Sequence, residues 1–108
     1  MGYNGDVIQV FETREFSGWL ASLRDDNAHA RIVRCIRRME SGNFGDFKPA
    51  GGHGVMETRI DYGPGYRVYY VRRGASVVVL LCGGDKRTQQ KDIREAQKLA
   101  DIWKDIPP

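Results

Sequence analysis

A chain of 108 residues, 41% hydrophobic and 29% charged, is long enough to close one core and too short for two ordinary domains, so one domain is expected over residues 1–108. The composition shows neither the periodic bias of a solenoid nor the polarity of a disordered chain. A formal charge of +3 is too small to name a polyanionic partner, so any such argument rests on where the basic residues fall. The longest strongly apolar run, residues 77–82, is far below the ~20 residues needed to cross a bilayer. Residues 1–10 lack the basic start and apolar middle of a signal peptide. Cys35 and Cys82 are too few for a four-ligand zinc site and lack the spacing of a disulfide scaffold. The expectation is a cytoplasmic protein with no membrane contact, no metal and no cofactor.

In chain order, residues 7–11 alternate β-branched and aromatic side chains around Gln9 and predict a strand, with Thr13 as the N-cap of a helix over residues 14–23. Phe16, Trp19, Leu20 and Leu23 fall on one face of that helix. Asp25 to Asn27 turn the chain and cap a second helix, whose apolar stripe is Ile32, Cys35, Ile36 and Met39 and which Gly42 ends. The two helices form a hairpin, and Arg31, Arg34, Arg37 and Arg38 make the second one basic on its outer side. Residues 43–54 contain five glycines and prolines in twelve positions and read as a long loop without regular structure.

Residues 55–60 alternate strictly, with Met56, Thr58 and Ile60 on one face and Val55, Glu57 and Arg59 on the other. After a turn at 61–65, residues 66–72 place Tyr66, Val68 and Tyr70 against one side and Arg67, Tyr69 and Val71 against the other. Residues 77–82 read as a central strand that Gly83, Gly84 and Asp85 break. Thr88 then caps a last helix carrying Ile93, Ala96, Ala100 and Trp103 inward and stopping before Pro107. The expected fold class is α+β in the order β-α-α-β-β-β-α, a two-helix hairpin packed on a small, mostly antiparallel twisted sheet, with the position of the first strand open.

Neither Ser17 nor Ser41 sits on a nucleophile elbow, the two histidines lack metal-ligand spacing, and no G-x-G-x-x-G is present. What remains is a basic constellation: Arg59 and Arg67 on neighbouring strands, Lys86 and Arg87 beyond the third, and Lys48 with His53 in the loop before the first. Guanidinium forks bind phosphate in a bidentate manner and stay charged, so such a cluster suits both an RNA backbone and the charge on a phosphate under attack. Tyr69 shares a face with Arg67 and is the candidate for stacking on a base. Against this, arginines that alternate with apolar residues ordinarily make a solvated outer face.

The segments Lys48-Pro49, Met56-Glu57-Thr58-Arg59-Ile60, Gly63-Pro64-Gly65-Tyr66-Arg67-Val68-Tyr69-Tyr70 and Leu80-Leu81-Cys82-Gly83-Gly84-Asp85-Lys86-Arg87-Thr88-Gln89 resemble the RelE/HigB-type toxins of bacterial toxin–antitoxin modules. The likeness is to their phage-derived, Gp49-like "addiction module killer" branch. It implies a RelE-like fold and a metal-independent, ribosome-dependent endoribonuclease that makes the 2′-hydroxyl of mRNA attack the adjacent phosphate. By that likeness Arg59 polarises the phosphate, Arg67 stabilises the transition state, Lys86 and Arg87 steady the backbone, and Lys48 helps seat RNA. The implied partners are a cognate antitoxin, a small helix-turn-helix protein, together with the ribosome and mRNA; DNA is reached only through the antitoxin. Many relatives carry a tyrosine or histidine near the start of the last helix, whereas Ile93 and its neighbours offer none. The general base is therefore open among Glu57, His53 and a lysine or arginine aided by ribosomal RNA groups, with Lys86 as a proton donor. The same fold also occurs in gyrase poisons that cut no RNA, and an inactive remnant that only binds its antitoxin is the third reading.

Overall fold

Residues 7–105 are described in a computed structural model. Strand β1 (Gln9–Glu12) passes into helix α1 (Arg14–Ser22) at Thr13. The buried Thr13 hydroxyl accepts the Phe16 amide at 3.0 Å and donates to the Leu81 carbonyl at 2.6 Å, so a single side chain caps the helix and ties its start to the sheet. Helix α2 (Asp26–Glu40) starts on the Asp25 carboxylate, which accepts the Asn27 and Ala28 amides. It ends at Gly42, whose φ of +87° suits glycine.

Strands β2 (Asp46–Pro49), β3 (Met56–Ile60), β4 (Tyr66–Arg73) and β5 (Val77–Asp85) follow, then a 3-10 turn (Lys86–Thr88) and helix α3 (Gln89–Ile102). The sheet order is β1-β5-β4-β3-β2; β1 runs parallel to β5 and every other pair is antiparallel. The α+β class with a largely antiparallel sheet stands, and the first strand takes the edge beside β5. The hairpin of α1 and α2 buries Phe16, Ile32 and Met39 against Val68, Tyr70 and Leu80. On the opposite side α3 buries Ala96, Leu99 and Ala100 against Tyr69, Val71 and Leu81. A shift of register after Tyr69 pairs Tyr69 with Cys82 and Tyr70 with Leu80, which turns both Leu81 and Cys82 toward α3.

The structure corrects three expectations. The Gly- and Pro-rich segment 43–54 contains strand β2, because Phe47 and Lys48 find partners in Thr58 and Glu57 of β3. The order is therefore β-α-α-β-β-β-β-α. Gly83 and Gly84 do not break the third meander strand: β5 runs through them to Asp85. A Cβ on Gly83 would fall within the Trp19 ring, and one on Gly84 would fall on the Asp92 carboxylate, so these glycines let a helix approach each face of the strand. Thr88 makes no capping bond; Asp85 accepts the Arg87 amide at 2.9 Å and caps the 3-10 turn, while the Thr88 hydroxyl donates to Asp92. The expected stop at Pro107, and residues 1–6 of the segment read for a signal peptide, lie outside the described residues.

The last turn of α3 contains no basic residue of its own. Arg73, at the end of β4, reaches across instead, donating to the Ala100 carbonyl at 3.1 Å and to the Trp103 carbonyl at 3.1 and 3.3 Å. A guanidinium there meets both the unpaired carbonyls and the negative end of the helix dipole. Arg73→Ala is expected to cost about 1–2 kcal/mol, measured by denaturant unfolding, with fraying confined to the end of α3 in amide exchange. Among the described residues no helix is long and apolar enough to cross a membrane.

Candidate nucleic-acid interface

Strand register sets the site. One row across the sheet reads Asp46, Arg59, Arg67, Gly84, and the next reads Lys48, Glu57, Tyr69, Cys82. Two guanidinium groups directly opposite each other repel unless each has a carboxylate. Arg59 takes Asp46, with Nη2 at 3.0 Å and Nε at 3.1 Å from Oδ2. Arg67 takes Glu57, with Nε at 3.3 Å from Oε2, and donates Nη1 to the Gly65 carbonyl at 3.2 Å. Glu57 is 1% exposed and Arg67 5% exposed, so this ion pair is fixed inside the protein. Lys48 Nζ lies 4.0 Å from the same carboxylate and the Gln89 amide donates to its other oxygen at 3.5 Å. Nη2 of Arg67 has no partner among the described residues.

Beside this row lies a concavity of about 280 Å³ lined by Arg59, Arg67, Lys86, Gly65, Tyr66 and Asp46, among others. Gly65, at φ +83°, closes the β3–β4 turn against Lys86; a Cβ there would touch Lys86 and Arg67 at 3.9 Å. Lys86 is exposed and has no ion-pair partner among the described residues. The arrangement is two arginines held by carboxylates and one free ammonium lining the same hollow, with Asp61 beside them; fixed guanidinium groups and an ammonium are the chemistry that can meet an anionic oxygen.

The remaining sequence candidates lie elsewhere. Arg87 is exposed and forks onto Asp85, at 2.8 and 3.2 Å, which holds the Asp85 carboxyl below its ordinary range; it borders the hollow without lining it. His53 takes φ +58° and pairs with Asp101 at 3.2 Å. Asp101 lies twelve residues beyond Gln89, roughly 18 Å along α3, so His53 is not brought to the cluster. Tyr69 is fully buried under α3 with its hydroxyl unpartnered, and burial first, then the Glu57 charge, raises its pKa. It has no surface to offer a base, because α3 covers the face on which the alternation places it. Glu57 is likewise closed to solvent. Sequence reasoning missed Asp46, Asp85 and Gln89, whose roles come from cross-strand register and from the docking of α3.

Among the described residues no three His, Cys, Asp or Glu side chains gather as a metal-binding group. Cys82, 7% exposed, donates to the Asp92 carbonyl at 3.5 Å. Burial, followed by the charges of Asp92, Glu95 and Glu15, pushes its thiol up to about 12. Since an unfolded thiol titrates near about 8.5, the unfolded chain loses this proton first as pH rises and stability falls above that point. Cys82→Ala is expected to remove that part of the alkaline loss in unfolding curves at about pH 8 and pH 10. In the folded wild-type chain Cys82 is expected to resist alkylation.

An α+β domain with a sheet-borne cluster of basic side chains defines the class. Residues 18–104 match the family described as Phage derived protein Gp49-like (DUF891), and the chain belongs to that family, part of the RelE-like superfamily of toxin–antitoxin toxins. It is 48% identical over 94 residues to an uncharacterised protein of Haemophilus influenzae, an alignment covering 87% of this chain and 94% of that one.

Proposed function

We propose that this chain is the toxin of a toxin–antitoxin pair, a ribosome-dependent mRNA endoribonuclease neutralised by a cognate helix-turn-helix antitoxin. The observation that carries the reading is the convergence of Arg59, Arg67 and Lys86 on one hollow, in a chain of this family. In the reaction the ribose 2′-oxygen attacks phosphorus, the bond from phosphorus to the 5′-oxygen breaks, and a 2′,3′-cyclic phosphate and a 5′-hydroxyl result. The Arg67 fork, braced by Glu57 and Gly65, meets the charge of the five-coordinate phosphorus, Arg59 polarises a non-bridging oxygen, and Lys86 supplies the proton to the leaving 5′-oxygen. Lys48 flanks the path of the strand. Glu57, closed to solvent and bound to Arg67, acts as a positioning residue. The 2′-hydroxyl proton is taken by a group of the ribosome or message, which accounts for the dependence on the ribosome.

The test is cell-free translation of a defined mRNA with the purified protein, mapping new 5′ ends with and without ribosomes. Cuts confined to translated message are expected. Intact message under continued translation overturns the reading. Accompanied by a DNA-damage response it moves the assignment to gyrase, and unimpaired growth on overexpression moves it to an inactive remnant.

A further inference from the structure

A second hollow, of about 250 Å³, lies between α2 and the β2–β3 edge. Arg31, Arg34 and Arg38 line it from the helix and Arg59 from the sheet. The helical three occupy positions i, i+3 and i+7 of one stripe, spaced over roughly 10 Å of axis. All three are exposed, and none has a carboxylate partner among the described residues. Arg31 is nevertheless held: its guanidinium lies 4.4 Å from the centre of the Tyr62 ring, and the Tyr62 hydroxyl donates to Asp25 at 3.2 Å. Three unpaired guanidinium groups on a 15-residue helix repel one another, a cost that an anionic occupant removes.

Arg59, Asp46, Ile60 and Asp61 line both this hollow and the one holding Arg67 and Lys86. The two are one groove, passing from the sheet face around the β2–β3 edge onto the helix. Its chemistry favours a nucleic acid over an acidic peptide. A peptide-docking groove needs an apolar pocket for an anchoring side chain, and the large exposed apolar residues among those described, Val7, Phe47 and Ile102, all lie outside this one. Five arginines and one lysine against the two carboxylates Asp46 and Asp61 leave the groove positively charged overall, which is what phosphate contacts require.

We propose that the Arg31, Arg34 and Arg38 stripe of α2 is a second phosphate-backbone site, which carries the RNA strand away from the scissile phosphate and fixes its direction across the sheet. This rests on the RNA reading of the first hollow.

The experiment measures binding of single-stranded 2′-O-methyl RNA oligonucleotides, which lack the attacking hydroxyl, by fluorescence anisotropy over a range of salt and oligonucleotide length. The probes are applied to the wild-type chain, to Arg31→Gln/Arg34→Gln/Arg38→Gln and to Lys86→Gln. All substituted positions are exposed, and circular dichroism and thermal unfolding verify the fold of each variant. The triple variant is expected to bind at least about tenfold more weakly, with a slope of log affinity against log salt smaller by about 2 and with a shorter minimum length for full affinity. Unchanged affinity, slope and length in the triple variant, with affinity lost in Lys86→Gln, overturns the second site and leaves the first intact. Absence of RNA binding by the wild-type chain overturns both. Undiminished RNA binding by the triple variant together with lost binding of a poly-glutamate peptide makes the stripe a protein-docking surface, and the proposal fails.

Discussion

Arg67→Ala is expected to lose cleavage and much of the protein's stability together, whereas Arg67→Lys loses cleavage alone. The alanine variant leaves the Glu57 carboxylate, 1% exposed, with only the Lys48 ammonium at 4.0 Å and the Gln89 amide at 3.5 Å. Stranding one member of a buried pair costs about 3–5 kcal/mol, a large share of the ~5–15 kcal/mol that holds a domain folded. Loss of toxicity in that variant therefore says little about chemistry. Lysine keeps a positive charge against Glu57 but cannot present a planar fork to a phosphate. Thermal unfolding close to that of the parent, with message cleavage slowed by about 100-fold or more, is the expected pair of results for Arg67→Lys. Cleavage at the parental rate by that variant would remove Arg67 from the reaction.

The second large effect concerns Gly83. A methyl group there would lie inside the Trp19 ring, and the ring is packed against Phe16 at 5.7 Å and Tyr66 at 6.2 Å between centroids. The overlap is with the body of the ring rather than its edge, so the ring or α1 must shift, and Gly83→Ala is expected to cost about 3 kcal/mol or more. The same substitution made on a Trp19→Ala background is expected to cost far less, because the obstructing ring is gone. The two costs are then strongly non-additive in denaturant unfolding. Additive costs would mean that the strand, rather than the ring, sets the requirement for glycine.

Much of the fold is legible in the residues. Strict alternation in residues 55–60 and 66–72 assigns Met56, Thr58, Val68 and Tyr70 to one face and Glu57, Arg59, Arg67 and Tyr69 to the other, and the cross-strand register keeps that division. Thr13 and Asp25 cap the helices for which their side chains suit them. What fails is whatever depends on a distant partner. Strand β2 carries no period of its own and forms only because β3 presents an edge to it. Gly83 and Gly84 look like a break until Trp19 and Asp92 are seen to need the space.

The site divides in the same way. That Arg59, Arg67 and Lys86 converge follows from consecutive antiparallel strands. That Tyr69 is sealed and His53 stands apart follows from where α3 docks, which local pattern does not encode. Asp46, the acid that holds Arg59, is equally out of view, since it lies in a segment that reads as loop, whereas Glu57 already stands on the face of Arg67 in the alternation.

The parallel pairing of β1 with β5 sets a timetable for folding. The bond from Thr13 to Leu81 spans 68 residues, whereas β3, β4 and β5 are joined by tight turns and can zip locally. Closing the long loop incurs its entropic cost before any contact compensates it, so β1 is expected to dock late, onto a meander already formed. During synthesis the strand bearing Arg59 and the strand bearing Arg67 emerge well before Lys86. The basic cluster is thus incomplete until most of the chain has left the ribosome that makes it.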